Sequence, residues 1–343
     1  MTEEHPVFFL RSRDADLQRS RLIHLHQARD LKISDELIFP LLRVTDAKSN
    51  WIIERKYKKF HEKSKYKRIR DLNDNFEASF GSRITHLEYI PITAELCRLW
   101  GYYLAEASCK NRETYFYFDR DETEYIEDVR NILTGIGMKY TSVVQDKRSR
   151  TKKVAVSSAA LARAFVRDFG KLAGGKHLPA WIYSLPATFS RELILGWVRG
   201  DGNKYYKNGI SQGYYVSTIS RALAYDFRIL LANLGYLVPI NENNKVVGNR
   251  KTTYRLFLSK RFANKMFGDS DCECPEVKQR YSVYDHFMTT PIVSIEKIPY
   301  DGEVHNLATD SQTYMTSAFL VHNCKQVLRT KPHNTKLKAR MRG

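Results

Sequence analysis

Two carboxylates, Glu106 and Asp201, each stand directly after a pair of small residues spaced four apart, Gly101/Ala105 and Gly196/Gly200. Residues at that spacing share one helix face, and Gly or Ala there lets two helices touch backbone to backbone. If those two helices pack on one another, Glu106 and Asp201 meet at their ends. Two carboxylates that close repel, and they are most simply explained as ligands of divalent cations. Paired oxygen ligands suit Mg²⁺, or Mn²⁺, and phosphodiester hydrolysis. A different chemistry stands near the C-terminus in His322-Asn323-Cys324. An Asn amide can attack its own backbone carbonyl and cut the chain, a neighbouring His can move the proton, and a following Cys can accept an acyl group.

The elements that must position the two acids recur. Leu99-Trp100-Gly101-Tyr102-Tyr103-Leu104-Ala105-Glu106-Ala107 is answered by Leu195-Gly196-Trp197-Val198-Arg199-Gly200-Asp201-Gly202. Farther on, Ile132–Gly137 is answered by Leu230–Gly235, and Phe169-Gly170 by Phe267-Gly268. Glu106 and Asp201 are 95 residues apart, and the later landmarks are 98 apart, so the offset is nearly constant. That is the signature of a duplicated unit. Strand-like runs lie at Thr114–Phe118, Lys153–Ser157, Tyr214–Ile219 and Thr252–Ser259, and helical patterns at Glu124–Leu133 and Arg221–Leu234, each closed by a glycine. The expectation is an α+β fold with two αββαββα halves, 94–180 and 181–280.

The chain has 343 residues, a formal net charge of +18 and 43% hydrophobic residues, enough for two or three domains at roughly 100–200 residues each. Its 21 Tyr and 17 Phe exclude disorder as the main state. No apolar run approaches the ~20 residues of a membrane span. The 5 Cys form no pairing framework, and Cys272-x-Cys274 lacks the second pair that a zinc site needs. Without a signal peptide, the expectation is a reduced, cytoplasmic protein. The charge points to a polyanionic partner, most simply nucleic acid. It concentrates in Arg55–Arg70, where Arg55, Lys56, Lys58, Lys59, Lys65, Lys67, Arg68 and Arg70 interleave with Tyr57, Phe60 and Tyr66. The tail after Cys324 carries seven Lys/Arg, no acid and almost no apolar periodicity, and reads as unstructured on its own.

Leu99–Ala107 and Leu195–Gly202 resemble the paired helices of LAGLIDADG homing endonucleases, and the resemblance covers 94–280. It implies a saddle of two antiparallel sheets on double-stranded DNA, one metal-binding acid per half, a monomer, and double-strand cleavage at a long site. Glu106 and Ala107 depart from the commoner Asp and Gly. The resemblance also implies a basic residue per active site, for which Lys176, in Gly175-Lys176-His177-Leu178-Pro179, and Lys278 are the candidates.

The two ends resemble an intein, a protein-splicing element of the Hint type. Glu303–Leu307 and Phe319–Cys324 are similar to its C-terminal blocks, with Asn306 where Asp is usual and Gln312 where His often lies. Thr2-Glu3-Glu4-His5 is similar to its Thr-x-x-His block, and Ala28–Pro40 to the segment that follows. The resemblance implies splicing roles for Thr2, His5, His322, Asn323 and Cys324. The block bearing the first nucleophile would lie before Met1, so the expectation is a partial Hint domain. Its chemistry would be C-terminal cleavage, or trans-splicing with a separate N-terminal intein fragment. The expected domains are 1–45 and 281–323 for this partial all-β Hint domain, 46–93 for a basic DNA-contacting insertion, 94–280 for the endonuclease, and 324–343 for a C-extein stub. Two alternatives stay open: a splicing element whose endonuclease has decayed to a scaffold, and a DNA-binding regulator without catalysis.

Overall fold

The computed structural model describes residues 3–11, 23–42, 48–52, 77–80, 83–86, 89–110, 112–145, 150–243, 251–267, 281–299, 307, 309–316, 319–323 and 335–341. The chain forms two compact units. One holds Met1–Arg43, Leu231–Pro239 and Glu273–Gly343, and the other Val44–Leu230 and Ile240–Cys272.

Along the chain, β1 (Pro6–Leu10), β2 (Ile23–Gln27) and β3 (Glu36–Pro40) open the first unit. The second unit begins with β4 (Asn50–Ile52), β5 (Glu77–Phe80), β6 (Arg83–His86) and β7 (Tyr89–Pro91). Its first half then runs α1 (Ala94–Glu106), β8 (Ala107–Lys110), β9 (Glu113–Asp119), α2 (Thr123–Gly135), β10 (Thr141–Gln145), β11 (Thr151–Val156) and α3 (Ala159–Phe169). Its second half runs α4 (Ala187–Asp201), β12 (Gly202–Lys207), β13 (Ile210–Thr218), α5 (Arg221–Asn233), β14 (Ile240–Asn243), β15 (Thr253–Ser259) and α6 (Lys260–Phe267). The strands β16 (Ser282–Val283), β17 (Phe287–Pro299), β18 (Thr313–Met315), β19 (Leu320–His322) and β20 (Thr335–Met341) return to the first unit.

In the second unit each half is αββαββα. The two four-stranded antiparallel sheets have matching orders, β8-β9-β11-β10 and β12-β13-β15-β14. On β9 the alternation is strict: Thr114, Phe116 and Phe118 are buried and their neighbours are not, as one packed face requires. The helices after the second strands end alike. Gly137 (φ +72°) and Gly235 (φ +88°) take left-handed backbone, and the next residue's N–H returns to the helix, Met138 to Leu133 O at 2.8 Å and Tyr236 to Leu231 O at 2.9 Å.

The helix α1 is buried nearly all round, through Leu96, Cys97, Leu99, Trp100, Gly101, Tyr102, Tyr103 and Leu104. Thr93 caps it, accepting from Leu96 N at 3.2 Å. Behind it lies an aromatic core in which Tyr103 stacks on Phe165 at 4.1 Å. The base of the 46–93 segment is fixed to that core. β4 pairs with β7, and the fully buried Trp51 packs edge-on against Trp100 (5.4 Å) and Phe165 (5.1 Å) while its indole N–H donates to Asp168 Oδ2 at 2.7 Å. The basic run Arg55–Arg70 lies outside the described residues.

The first unit is an eight-stranded antiparallel sheet, β16-β17-β3-β1-β19-β18, with β2 on β1 and β20 on β17. Val7, Phe9, Leu37, Ile292, Phe319 and Val321 form its core. Two features differ from the sequence expectation. Leu231–Pro239 clusters with this unit, where Asn233 accepts from Leu42 N and donates to Leu42 O, both at 2.9 Å. Thr335–Met341, in the tail expected to be unstructured on its own, pairs with Ile292–Pro299 of β17. A segment without its own apolar period takes order from a neighbour's open backbone ladder. Among the described residues, no helix is long and apolar enough to cross a membrane.

Candidate functional site

The acids meet because α1 and α4 approach at backbone distance. A Cβ on Gly101 would stand 2.2 Å from Leu193 O, and one on Gly196 would stand 2.1 Å from Arg98 O. One turn on, a Cβ on Gly200 would meet Ala105 Cβ at 2.4 Å and Glu106 Cγ at 3.0 Å. No side chain fits at those glycines, and Asp201 follows Gly200 directly. Glu106 and Asp201 therefore end neighbouring helices, both only partly exposed, each at the helix end where the macrodipole disfavours an anion.

The electrostatics record that crowding. Burial, then the neighbouring Glu106 charge, pushes Asp201 up to about 7, against Lys176 and the Trp197 indole. That indole N–H lies near enough to favour the ionised acid while forming no full hydrogen bond. Burial and then Glu122 raise Glu106, again opposed by Lys176. Lys176 is 4% exposed, and its Nζ donates to Ala105 O at 3.2 Å beneath the Tyr103 ring at 5.5 Å. Burial draws its ammonium down to about 8, with Asp201 and then Glu106 opposing. The structure thus brings Glu106, Asp201 and Lys176 to one place. Lys278 lies outside the described residues.

The two central helices are tied to each other and to α2 by a polar network that no sequence motif marks. Arg98 grips Asp128 through Nε (2.7 Å) and Nη2 (2.8 Å) and also bonds Glu192; Tyr102 OH (2.9 Å) and Arg199 (3.2 Å) complete the set. Burial would raise the Asp128 carboxyl, yet Arg98, Tyr102 and Arg199 hold it below its ordinary value. Nothing in the spacing of these residues pairs α2 with the two central helices.

The donor set suits a hard divalent cation. Two carboxylates carry charge that one ammonium only partly offsets, and Mg²⁺ characteristically binds one or two carboxylates while substrate phosphate and water fill its shell. Among the described residues no cluster of three or more His, Cys, Asp or Glu is placed to hold a metal ion.

In the first unit, β1 pairs with β19 through Val7 and Val321, and this brings His5 and His322 to one end of the sheet. Tyr314 OH lies 3.3 Å from the Nε2 of the buried His5, whose imidazolium is disfavoured first by burial and then by positive charge around it, His322 included. His322 Nδ1 lies 2.8 Å from Asn323 O, and Asn323 N donates to Gln312 O at 2.7 Å. Thr2 and Cys324 lie outside the described residues.

A family model described as a LAGLIDADG-like domain matches residues 188–267. Among curated proteins the chain is similar to an ATP-dependent DNA helicase Hel308 of Thermococcus kodakarensis, 28% identical over 69% of this chain and 22% of the helicase. It is also similar to an iron-sulfur cluster assembly SufBD family protein of Mycobacterium tuberculosis, 29% identical over 70% of this chain and 28% of the relative. The chain spans about a quarter of the length of these relatives. Among solved structures it resembles I-DmoI in complex with DNA and Mn, with a TM-score of 0.39 and 15% identity over 53% of this chain and 99% of that one.

Proposed function

We propose that this chain is a divalent-metal-dependent, site-specific endonuclease of double-stranded DNA, carried by a protein-splicing element. One observation carries the nuclease reading: two half-buried carboxylates and a buried lysine converge where two glycine-packed helices end. Glu106 and Asp201 would hold Mg²⁺ or Mn²⁺, which when bound supplies charge neutralisation at a phosphodiester. Lys176 would stabilise charge developing on the phosphate or orient the attacking water. The Arg55–Arg70 cations would add phosphate contacts along the duplex. Selection of cut sites from a random duplex library with Mg²⁺ tests this. Double-strand cutting at a long site is expected, lost in both Glu106→Gln and Asp201→Asn; undiminished cutting by both variants overturns the assignment.

Two observations support the splicing element. A DNA helicase and an iron–sulfur assembly protein share this block while differing in what their names describe, as expected of a carried element. His322 Nδ1 also sits against the carbonyl oxygen of Asn323, where it can polarise the bond to Cys324 as the Asn323 amide attacks. Mass spectrometry of the purified chain should find a fragment beginning at Cys324, and Asn323→Ala should abolish it. Equal cleavage in that variant overturns this part of the reading.

A further inference from the structure

A buried ammonium must be held in place, because its free energy falls if it can swing into water. Lys176 lies on the segment between the two halves, and that segment is gripped from both. Ser220 Oγ donates to Lys176 O at 2.6 Å while capping α5 by accepting from Leu223 N at 3.2 Å. Asp226, farther along α5, accepts from Leu178 N at 2.8 Å and from Tyr183 OH at 3.2 Å. On the other side Tyr103 OH donates to Gly170 O at 2.7 Å, and His177 N donates to Phe169 O at 3.2 Å. Gly170 has φ +80°, and a Cβ there would stand 2.0 Å from Gly175 O, so the loop closes only with glycine. The ammonium then reaches Ala105 O, the residue before Glu106, opposite Gly200 and Asp201. Its backbone is anchored by α5 of the second half, while its head group meets the first.

On the nuclease reading above, we propose that Lys176 is one cation shared by Glu106 and Asp201, with Ser220 and Asp226 as positioning residues that hold it between them. Sharing has a consequence for product pattern. A lysine dedicated to one carboxylate would, when removed, stop one strand and leave nicked duplex. A shared lysine slows both strands together.

Two measurements on the full chain test this. Acetic anhydride labelling read at Lys176 by mass spectrometry needs no activity. Asp226→Ala should raise labelling about tenfold by letting the loop open, Ser220→Ala should raise it less, and Asp226→Asn, which keeps an acceptor for Leu178 N, should stay near the parent. Circular dichroism checks that each variant is folded. Strand-resolved cleavage of end-labelled duplex should show Asp226→Ala and Lys176→Met lowering both strand rates by the same factor, within about twofold, at unchanged KM for Asp226→Ala. Unchanged labelling in both Asp226→Ala and Ser220→Ala overturns the positioning role. Nicked product accumulating in Lys176→Met overturns sharing. A parent that cuts no DNA overturns the nuclease reading and the shared role with it, while the labelling contrast still decides whether α5 holds the lysine.

Discussion

The two halves of the second unit pass through the same elements, build sheets of the same order and close their middle helices with the same glycine turn, yet they differ in chemistry. The second half carries Gly200-Asp201-Gly202 and is where the family match falls; the first carries Ala105-Glu106-Ala107. Asp201 answers to Glu106 and the Trp197 indole, whereas Glu106 answers to Glu122. The outward faces diverge too. On β9 the acids Glu113 and Asp119 occupy the outer row, Asp119 paired to Arg150 at 3.1 Å. On the second sheet Arg255 lies over the Tyr215 ring at 5.3 Å, beside Phe257 and Tyr205, and Glu242 turns instead to Tyr225 of α5. Duplication fixes backbone geometry, which tolerates few changes, and leaves charge free to diverge on each copy.

The largest expected effect breaks the chemical half of that comparison. Glu106→Gln and Asp201→Asn should each lower double-strand cleavage about a thousandfold, the scale of losing one essential charge-stabilising group. Strand-resolved assays sharpen it. If each acid serves one strand, each variant leaves a nick in a different strand; loss of both strands in both variants makes the halves one centre.

The next effect tests the geometric half. Gly101→Val should destabilise the second unit by about 3 kcal/mol, because its Cβ would meet the Leu193 carbonyl and the helix backbones must separate. Gly135→Ala, with nothing within 4 Å of the new Cβ, should be neutral or stabilising by about 0.5 kcal/mol. Thermal unfolding of both variants measures the contrast, and equal shifts would show that the close approach is not what holds the halves.

That glycine contact was legible in the sequence, because backbone contact between helices admits almost no residue but Gly or Ala, and the repeat showed it twice. The order αββαββα was legible for the same reason. The anchors of Lys176 were not. Ser220 and Asp226 lie 44 and 48 residues from the groups they bond, and a Ser before a helix or an Asp within one is ordinary on its own. Trp51 was also illegible, since one tryptophan beside a basic run gives no sign of the aromatic core it enters. The strand Thr335–Met341 depends on β17 for its order, which no local pattern in a basic tail encodes.

A smaller effect follows from the Asp201 carboxyl, raised to about 7 by burial and by Glu106. A folded-state value above the unfolded one, near 3.9 for Asp, means that the protonated acid stabilises the fold. That contribution is fully present below about pH 4 and is lost as pH rises through 7. Asp201→Asn removes the buried charge, so at pH 8 it should be more stable than the parent by about 2 kcal/mol, after discounting the shift for partial solvent access. The gap should close toward pH 4. Millimolar Mg²⁺ at pH 8 should raise the parent's Tm and leave that of Asp201→Asn unchanged, since an ion binding only the folded state stabilises by mass action. A parent equally stable at pH 4 and pH 8, and indifferent to Mg²⁺, would show that the two carboxylates do not crowd.

The smallest effect concerns the outer faces, and it rests on the proposed DNA contact. Arg150 is occupied by Asp119 and Asp121, whereas Arg255 rests on an aromatic ring with its Nε toward Ser217 at 3.3 Å. A cation already paired within the protein releases fewer counterions when it meets phosphate. Asp119→Asn combined with Asp121→Asn should therefore tighten duplex binding and steepen the log–log salt dependence by about 0.9, the value of one added phosphate contact. Arg255→Ala should flatten it by the same amount. Fluorescence anisotropy with one duplex across a salt series reads both slopes. If the Asp119→Asn, Asp121→Asn double variant leaves the slope unchanged while Arg255→Ala flattens it, the acids of the first sheet do not mask its cations, and the two faces differ in composition without differing in their hold on DNA.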